Sequence, residues 1–268
     1  MLRAVGCTVP AAEIALAVCL VAGVRIPEPL LLVAEAAALV LSAAGAGAFL
    51  GLRRRGLSSW GALAVLVPAP VLRLVGHELR LLSSLGLWVA RRRTGVGAGD
   101  VPFSHARDQA ALMYGFAFVC LVETVGMSYL LADWPKIHAA VLVLDVYTVA
   151  FVLGLHAASV TRPHVLTSDH LRLRQAAHVD LRVPLERIAA VRHETLFTHE
   201  RAEGELNLAV GSQTSLTFEL TDPVDAPRLF GAPRPVRIVR CHADDARALA
   251  RALGDALARA REREVPGV

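Results

Sequence analysis

The stretches "DQAALMYGFAFVCLVETVGMSYLLA" (Asp108–Ala132) and "KIHAAVLVLDVYTVAFVLGLHAAS" (Lys136–Ser159) decide how the chain is read. Each exceeds the roughly 20 mostly apolar residues that a helix needs to cross a bilayer core. Each also holds one carboxylate deep inside, Glu123 in the first and Asp145 in the second. So short a connection makes two such helices antiparallel neighbours. Upstream, "PLLLVAEAAALVLSAAGAGAFLGL" (Pro29–Leu52) is long enough as well and contains Glu35. The first apolar run, "AAEIALAVCLVAGV" (Ala11–Val24), spans only if residues 8–26 all join and Glu13 snorkels to the surface. The alternative there is a signal peptide or a lipoprotein signal ending in "LAVC", against which Glu13 and the bulk of Val18 both count. The expectation is four transmembrane helices, over about 8–26, 29–52, 108–132 and 136–159.

Composition agrees with two kinds of environment. Mean hydropathy is +0.49, and only 19% of residues are charged, against about a quarter in soluble domains. The apolar residues concentrate in residues 1–160, a transmembrane domain, whereas residues 161–268 carry 16 Arg against 15 acidic residues and read as soluble sequence. A net charge of +4 without a basic block gives no reason to expect nucleic acid as a partner.

Arginine sets the orientation. Arg53, Arg54 and Arg55, then Arg91, Arg92 and Arg93, lie between the second and third predicted spans, and Arg107 lies just before the third. The positive-inside rule places this segment, and with it both termini, in the cytoplasm of a bacterial inner membrane. Trp134 then sits at the outer interface. Between the triplets, Arg73, His77, Arg80 and Ser84 recur at helical spacing, with Leu72, Val75, Leu79 and Leu82 off that stripe. That predicts an amphipathic helix over about 71–92. It lies along the inner membrane surface with its arginines toward anionic lipid, or it packs against the spans or the soluble part.

The soluble part alternates by twos. "LRLR" (Leu171–Arg174), "VDLRVP" (Val179–Pro184), "ELNLAV", "SLTFEL" and "PVRIVRCH" read as strands. The end changes period: Ala246, Leu249, Ala250, Leu253 and Leu257 form one stripe opposite Arg247, Arg251, Asp255 and Arg259, with Asp244 as N-cap. The expected fold is a small antiparallel β sandwich or barrel closed by a C-terminal helix, 244–263. Arg172, Arg174 and Arg182 are candidates for a binding face or, more simply, a solvated strand face.

"RPHVLTSDHLRLRQAAHVDLRVPLERIAAVRHE" (Arg162–Glu194) resembles the opening strands of bacterial pleckstrin-homology-like domains. In these a strand, a turn, "LRLR", a second hairpin strand and "VPLxxIxxV" follow in order. The chain as a whole resembles a group of actinobacterial multi-pass membrane proteins with such a domain at the C-terminus. Its single lysine, Lys136, suits a GC-rich genome. His170 departs from the pattern by standing where these domains often place glycine. The resemblance implies a fold more than an activity.

Catalytic and metal motifs are not evident. Cys7, Cys19, Cys120 and Cys241 form no metal-spaced pair. "GHELRLL" lacks the second histidine of a zinc protease, and "GVGAGD" follows no strand. "GAFLG" (Gly47–Gly51) is a weak small-xxx-small element. Glu123 and Asp145 both lie about nine residues, or ~14 Å, from the outer ends of their helices. With Glu35 and His138 they could relay a proton or hold a cation, or they could be neutral carboxyls hydrogen-bonded to Tyr147, Thr124 or backbone as interhelical glue. The expected role is non-enzymatic and cofactor-free: a membrane-anchored binding or regulatory module. Its partners would be membrane lipids and a protein at the cytoplasmic domain, and self-association is open. The rival is a small-ion or proton-handling protein.

Overall fold

The computed structural model describes residues 28–197, 202–229 and 231–264; the first predicted span, 8–26, lies outside them. By internal contacts the chain forms two compact units. One comprises 28–76 with Leu131–Ala140, the other His77–Leu130 with Val141 onward.

In the first unit, α1 (Glu28–Arg54) covers the second predicted span, and α2 (Ser59–Leu66) packs against it. Ser58 caps α2 by accepting from Gly61 N at 3.0 Å. The apolar stretch before Pro68 is thus a separate short helix. A Cβ on Gly47 or Gly51 would meet nothing within 4 Å, so the small-xxx-small element makes no close helix contact among the described residues.

A third helix, α3 (Ala69–Val89), occupies the predicted amphipathic stretch and continues into the second unit. It ends in a Schellman-type cap: Arg92 N donates to Leu87 O at 2.8 Å, and Arg91 takes a left-handed φ of 53°. A short strand, β1 (Val101–Phe103), leads to α4 (Arg107–Leu130) and α5 (Pro135–Thr161). These two helices are long and apolar enough to cross a membrane, whereas the sequence predicts four such spans.

The β part contains β2 (His164–Leu166), β3 (His170–Gln175), β4 (Val179–Pro184), β5 (Ile188–Leu196), β6 (Glu205–Leu208), β7 (Thr214–Ala226) and β8 (Arg234–Cys241), then α6 (Ala246–Glu264). One sheet runs β1-β2-β3-β4, all antiparallel. The other runs β5-β7-β8-β6, with β6 parallel to β8 and the remaining pairs antiparallel. Alternation explains the core: Leu171 and Leu173, Leu181 and Val183, Leu216 and Phe218 point inward and meet Leu249 and Leu253 of α6. The helix cap is Asp245, which accepts from Ala248 N at 2.9 Å. Asp244, the predicted cap, instead accepts from Arg107 N at 3.1 Å.

The strand β1 changes the domain plan. It precedes α4 and pairs antiparallel with β2, which follows α5, with Val101 opposite Leu166 and Phe103 opposite His164. The α4–α5 hairpin is therefore inserted between two adjacent strands of one sheet. The start of α4 and the end of α5 emerge side by side from that sheet. Asp244 N donates to Ser104 O at 2.9 Å, which ties the start of α4 to the β part, and Thr94 N donates to Thr161 O at 2.9 Å, which ties the end of α5 to the segment after α3.

Candidate functional site: an arginine pocket at the base of the hairpin

The site begins with a departure from strand alternation. Arg172 and Arg174 share one face of β3, yet Arg174 is only 1% exposed and Arg172 is half-buried. Arg182 across the ladder is exposed. Burial of this face comes from elements outside the C-terminal region. The segment after α3 lies over it, and Arg174 donates from Nη1 to Thr94 O (2.7 Å) and from Nη2 to Gly95 O (2.8 Å). Gly95 has a φ of +67°, and a Cβ there would collide with Arg174 Nη2, so the backbone approaches the guanidinium because this residue has no side chain.

Asp180 of β4 is the hub. Arg172 grips it with both arms, Nε to Oδ1 at 2.6 Å and Nη2 to Oδ2 at 2.7 Å. Arg162, immediately after α5, reaches Oδ2 at 3.2 Å and also donates to Ala176 O at 2.9 Å. Arg174 Nε stands 3.9 Å from Oδ1 and is buried without a hydrogen bond. From α3, Arg80 Nη1 donates to Ala177 O at 3.1 Å. Arg80, Arg162, Arg172 and Arg174 together line a pocket of about 270 Å³, with Ser83, Ser84 and Thr94 on its walls.

The electrostatics follow from crowding. Burial opposes ionisation of Asp180, but the hydrogen bond and charge of Arg172, with the charges of Arg174 and Arg162, outweigh it and hold the carboxyl below its usual range. Burial first, and then Arg172, lower Arg174 to about 10, with Asp180 opposing. Burial likewise lowers Arg162. The hydrogen bond to Asp180 raises Arg172.

A histidine group lies beside the start of α4. His105 and His164 stack with centroids 4.3 Å apart. His164 Nδ1 accepts from Arg174 N at 3.0 Å, so its Nε2 carries the proton and donates to His242 O at 3.0 Å. Burial holds His164 at about 4 and His105 well below the usual imidazole value. His242 Nε2 lies 3.3 Å from Asp108 Oδ2. Among the described residues no group of three or more His, Cys, Asp or Glu side chains could hold a metal ion.

The remaining predicted residues are dispersed. Arg53 turns back to Leu57 O at 3.1 Å, and Arg54, Arg55 and Arg73 are exposed. Arg91, Arg92 and Arg93 are exposed and border a second pocket of about 510 Å³ with Trp88, Val89, Val160 and Thr161. Glu35 lies on α1. Glu123 is exposed on α4 and Asp145 half-buried on α5, and no hydrogen bond joins them among the described residues. The hydroxyls proposed as their partners are engaged elsewhere, Thr124 with Cys120 O at 2.8 Å and Tyr147 with Glu78 Oε2 at 2.9 Å. Asp145 Oδ2 and His138 Nε2 are buried without partners. The Glu78–Tyr147 bond is thus a polar contact between α3 and α5, and sequence reasoning missed it by leaving Glu78 off the polar stripe.

No protein-family model matches the chain, and no curated protein and no solved structure matches it either.

Proposed function

We propose that the chain is a non-enzymatic binding or regulatory module anchored in a bacterial inner membrane, with a pleckstrin-homology-like β domain on the cytoplasmic side. The observation that carries this reading is the exposed apolar surface of the helices. On α3, His77 and Ser84 are 6% and 2% exposed while Leu79 and Leu82 are 57% and 48% exposed. On α4 and α5, Leu112, Phe118 and Val125, and Val143, Leu144 and Val146, are all exposed. A water-soluble surface does not expose so continuous an apolar face, whereas lipid accommodates it. The arginine pocket lies at the base of the same hairpin, where a cytoplasmic headgroup layer would meet the β domain.

Four spans, with both termini cytoplasmic, follow the arginine distribution. The pairing of β1 with β2 supports this, because it keeps Arg91–Arg93, Arg107 and the β domain on one side of the hairpin. Alkaline phosphatase fused after Val268 should be inactive, and a fusion at Asp133 should be active. Strong activity from the first fusion rejects the reading. The rival, ion or proton handling through Glu35, Glu123 and Asp145, draws its support from the unpartnered buried Oδ2 of Asp145.

A further inference from the structure

We propose that the pocket formed by Arg80, Arg162, Arg172 and Arg174 binds a phosphate group, carried by an anionic lipid headgroup or by a small soluble phosphate. This rests on the membrane-anchored binding role and names the ligand chemistry of its site.

Charge balance is the first support. Among the described residues Arg162, Arg172 and Arg174 share Asp180 as their one ion-pair carboxylate in the pocket, and exposed Arg80 lines its wall. Two positive charges remain in excess among the three that share Asp180. Further out, Asp100 and Arg182 act with opposite signs and do not remove the imbalance. Backbone carbonyls at Thr94, Gly95, Ala176 and Ala177 satisfy hydrogen bonds but carry no net charge. Burying unbalanced guanidinium groups is costly, and an anion in the pocket removes that cost.

Donor geometry is the second. Arg172 spends Nε and Nη2 on Asp180 and makes no bond through Nη1 among the described residues. Arg162 likewise spends both terminal nitrogens and leaves Nε. Arg174 Nε is buried and unbonded. The Ser83 and Thr94 hydroxyls on the walls already donate to Arg80 O (3.1 Å) and Thr161 O (3.5 Å), so the open donors are those of the guanidinium groups. Guanidinium forks suit phosphate oxygens, and a phosphate monoester with a charge near −2 offsets more of the excess than a single carboxylate would.

Size is the third. About 270 Å³ lies just below the ~300–1,000 Å³ of drug-sized sites, which fits a headgroup-sized ligand.

The test uses the full chain. In detergent, inorganic phosphate titrated against chloride at matched ionic strength should raise the melting temperature saturably. Ser83→Asp sets a carboxylate on the exposed wall; it should leave the melt without phosphate unchanged or higher and weaken phosphate binding about tenfold or more. Arg80→Gln is the second variant and should weaken binding in the same direction. Nanodiscs separate the sources. If the group belongs to a lipid, the phosphate shift seen in phosphatidylcholine discs should vanish in discs containing phosphatidic acid, whose phosphate monoester already fills the site. If the ligand is soluble, the shift should persist in both. A melt that ignores phosphate in detergent and in phosphatidylcholine discs overturns the proposal, as does an unchanged phosphate response in Ser83→Asp. Neither result depends on orientation, so failure here is distinct from failure of the topology fusions.

Discussion

Two helices, α3 and α6, read alike in the sequence and behave in opposite ways in the fold. Both carry a polar stripe opposite an apolar one. On α6 the apolar stripe goes inward: Leu249 and Leu253 are fully buried, while Arg247, Arg251, Asp255 and Arg259 are exposed. On α3 the polar stripe is split, with Arg73 and Arg80 exposed and its two neutral members buried. His77 and Ser84 face inward beside Leu81, which packs on Ala158 and Ala177, and Leu79 and Leu82 face out. A hydrophobic stripe shows that a helix has two faces; what lies outside decides which face is buried. Leu249 and Leu253 of α6 close the β core, whereas Leu79 and Leu82 of α3 stay on the surface, where the proposed membrane would cover them.

The largest expected effect breaks the α6 half of the comparison. Leu253→Asp would place a carboxylate where exposure is 0%. It should cost about 4 kcal/mol or more and leave little folded β domain. The mirror change on α3, Leu79→Asp, should alter the melt in detergent by no more than about 1 kcal/mol, the scale for a charge facing the membrane near its interface. Chemical denaturation of both variants, followed by circular dichroism, makes the check. Similar losses would mean that the two helices are packed in the same sense.

A somewhat smaller loss is expected at the arginine hub. Asp180→Asn keeps the shape but removes the carboxylate bound by Arg162 and Arg172. Breaking a buried pair costs about 3–5 kcal/mol, and because the Asp180 side chain keeps 28% exposure the expected loss is nearer 2–3. Inorganic phosphate should recover part of it. A neutral Asp180→Asn would show that the arginines are held by carbonyls alone.

Acid should act through the histidines. Burial lowers His105 and His164, the latter to about 4, beneath the ordinary imidazole value of 6.5. The unfolded chain therefore takes up protons first as pH falls. Their stabilising contribution is complete above about pH 6.5 and is lost as pH drops toward 4. For His164 the loss is roughly 2–3 kcal/mol. The charges around the pair are His242, Arg162 and Arg174, with Asp108 and Asp244 facing His242. Melts between pH 7.5 and 4.5 should show a steep decline, and His105→Phe should flatten it while keeping a ring in the stack. A flat wild-type profile would show that these imidazoles are not buried in the neutral form.

What the sequence disclosed follows from how local each signal is. "LRLR", "VDLRVP", "SLTFEL" and the Leu249–Leu253 stripe are periodic patterns, and each forms the expected strand or helix. Val101–Phe103 was illegible because three residues carry no period, and their partner, Val165 and its neighbours, lies beyond two long helices. That one strand moves the start of the β part ahead of the hairpin. The arginine pocket stayed hidden for the same reason. Alternation placed Arg172 and Arg174 on an outer face, and nothing local shows that Thr94 and Gly95, some 80 residues earlier, cover it. The cap moved by one residue because Asp244 and Asp245 are equally good caps, and the claim of Arg107 N on Asp244 is a tertiary contact.

The smallest expected effect concerns the acids with which the reading began. Glu123 is exposed, and no partner holds it among the described residues. Asp145 has one oxygen buried without a partner. Glu123→Gln together with Asp145→Asn keeps the size and polarity of both side chains and removes their charge. If the acids are structural, the double variant should match wild type within about 1 kcal/mol, the scale of single hydrogen bonds in membranes. It should also leave the response to pH and divalent cations unchanged. If they bind a cation or carry a proton, wild type alone should show a shift in melting temperature with calcium or magnesium, or with pH above 6.5, where the histidine contribution is already complete. The Glu78–Tyr147 bond supplies the internal control. Glu78→Gln should weaken the α3–α5 contact by a similar amount and should have no cation dependence of its own. A wild-type-specific cation shift would move the functional centre from the arginine pocket into the hairpin.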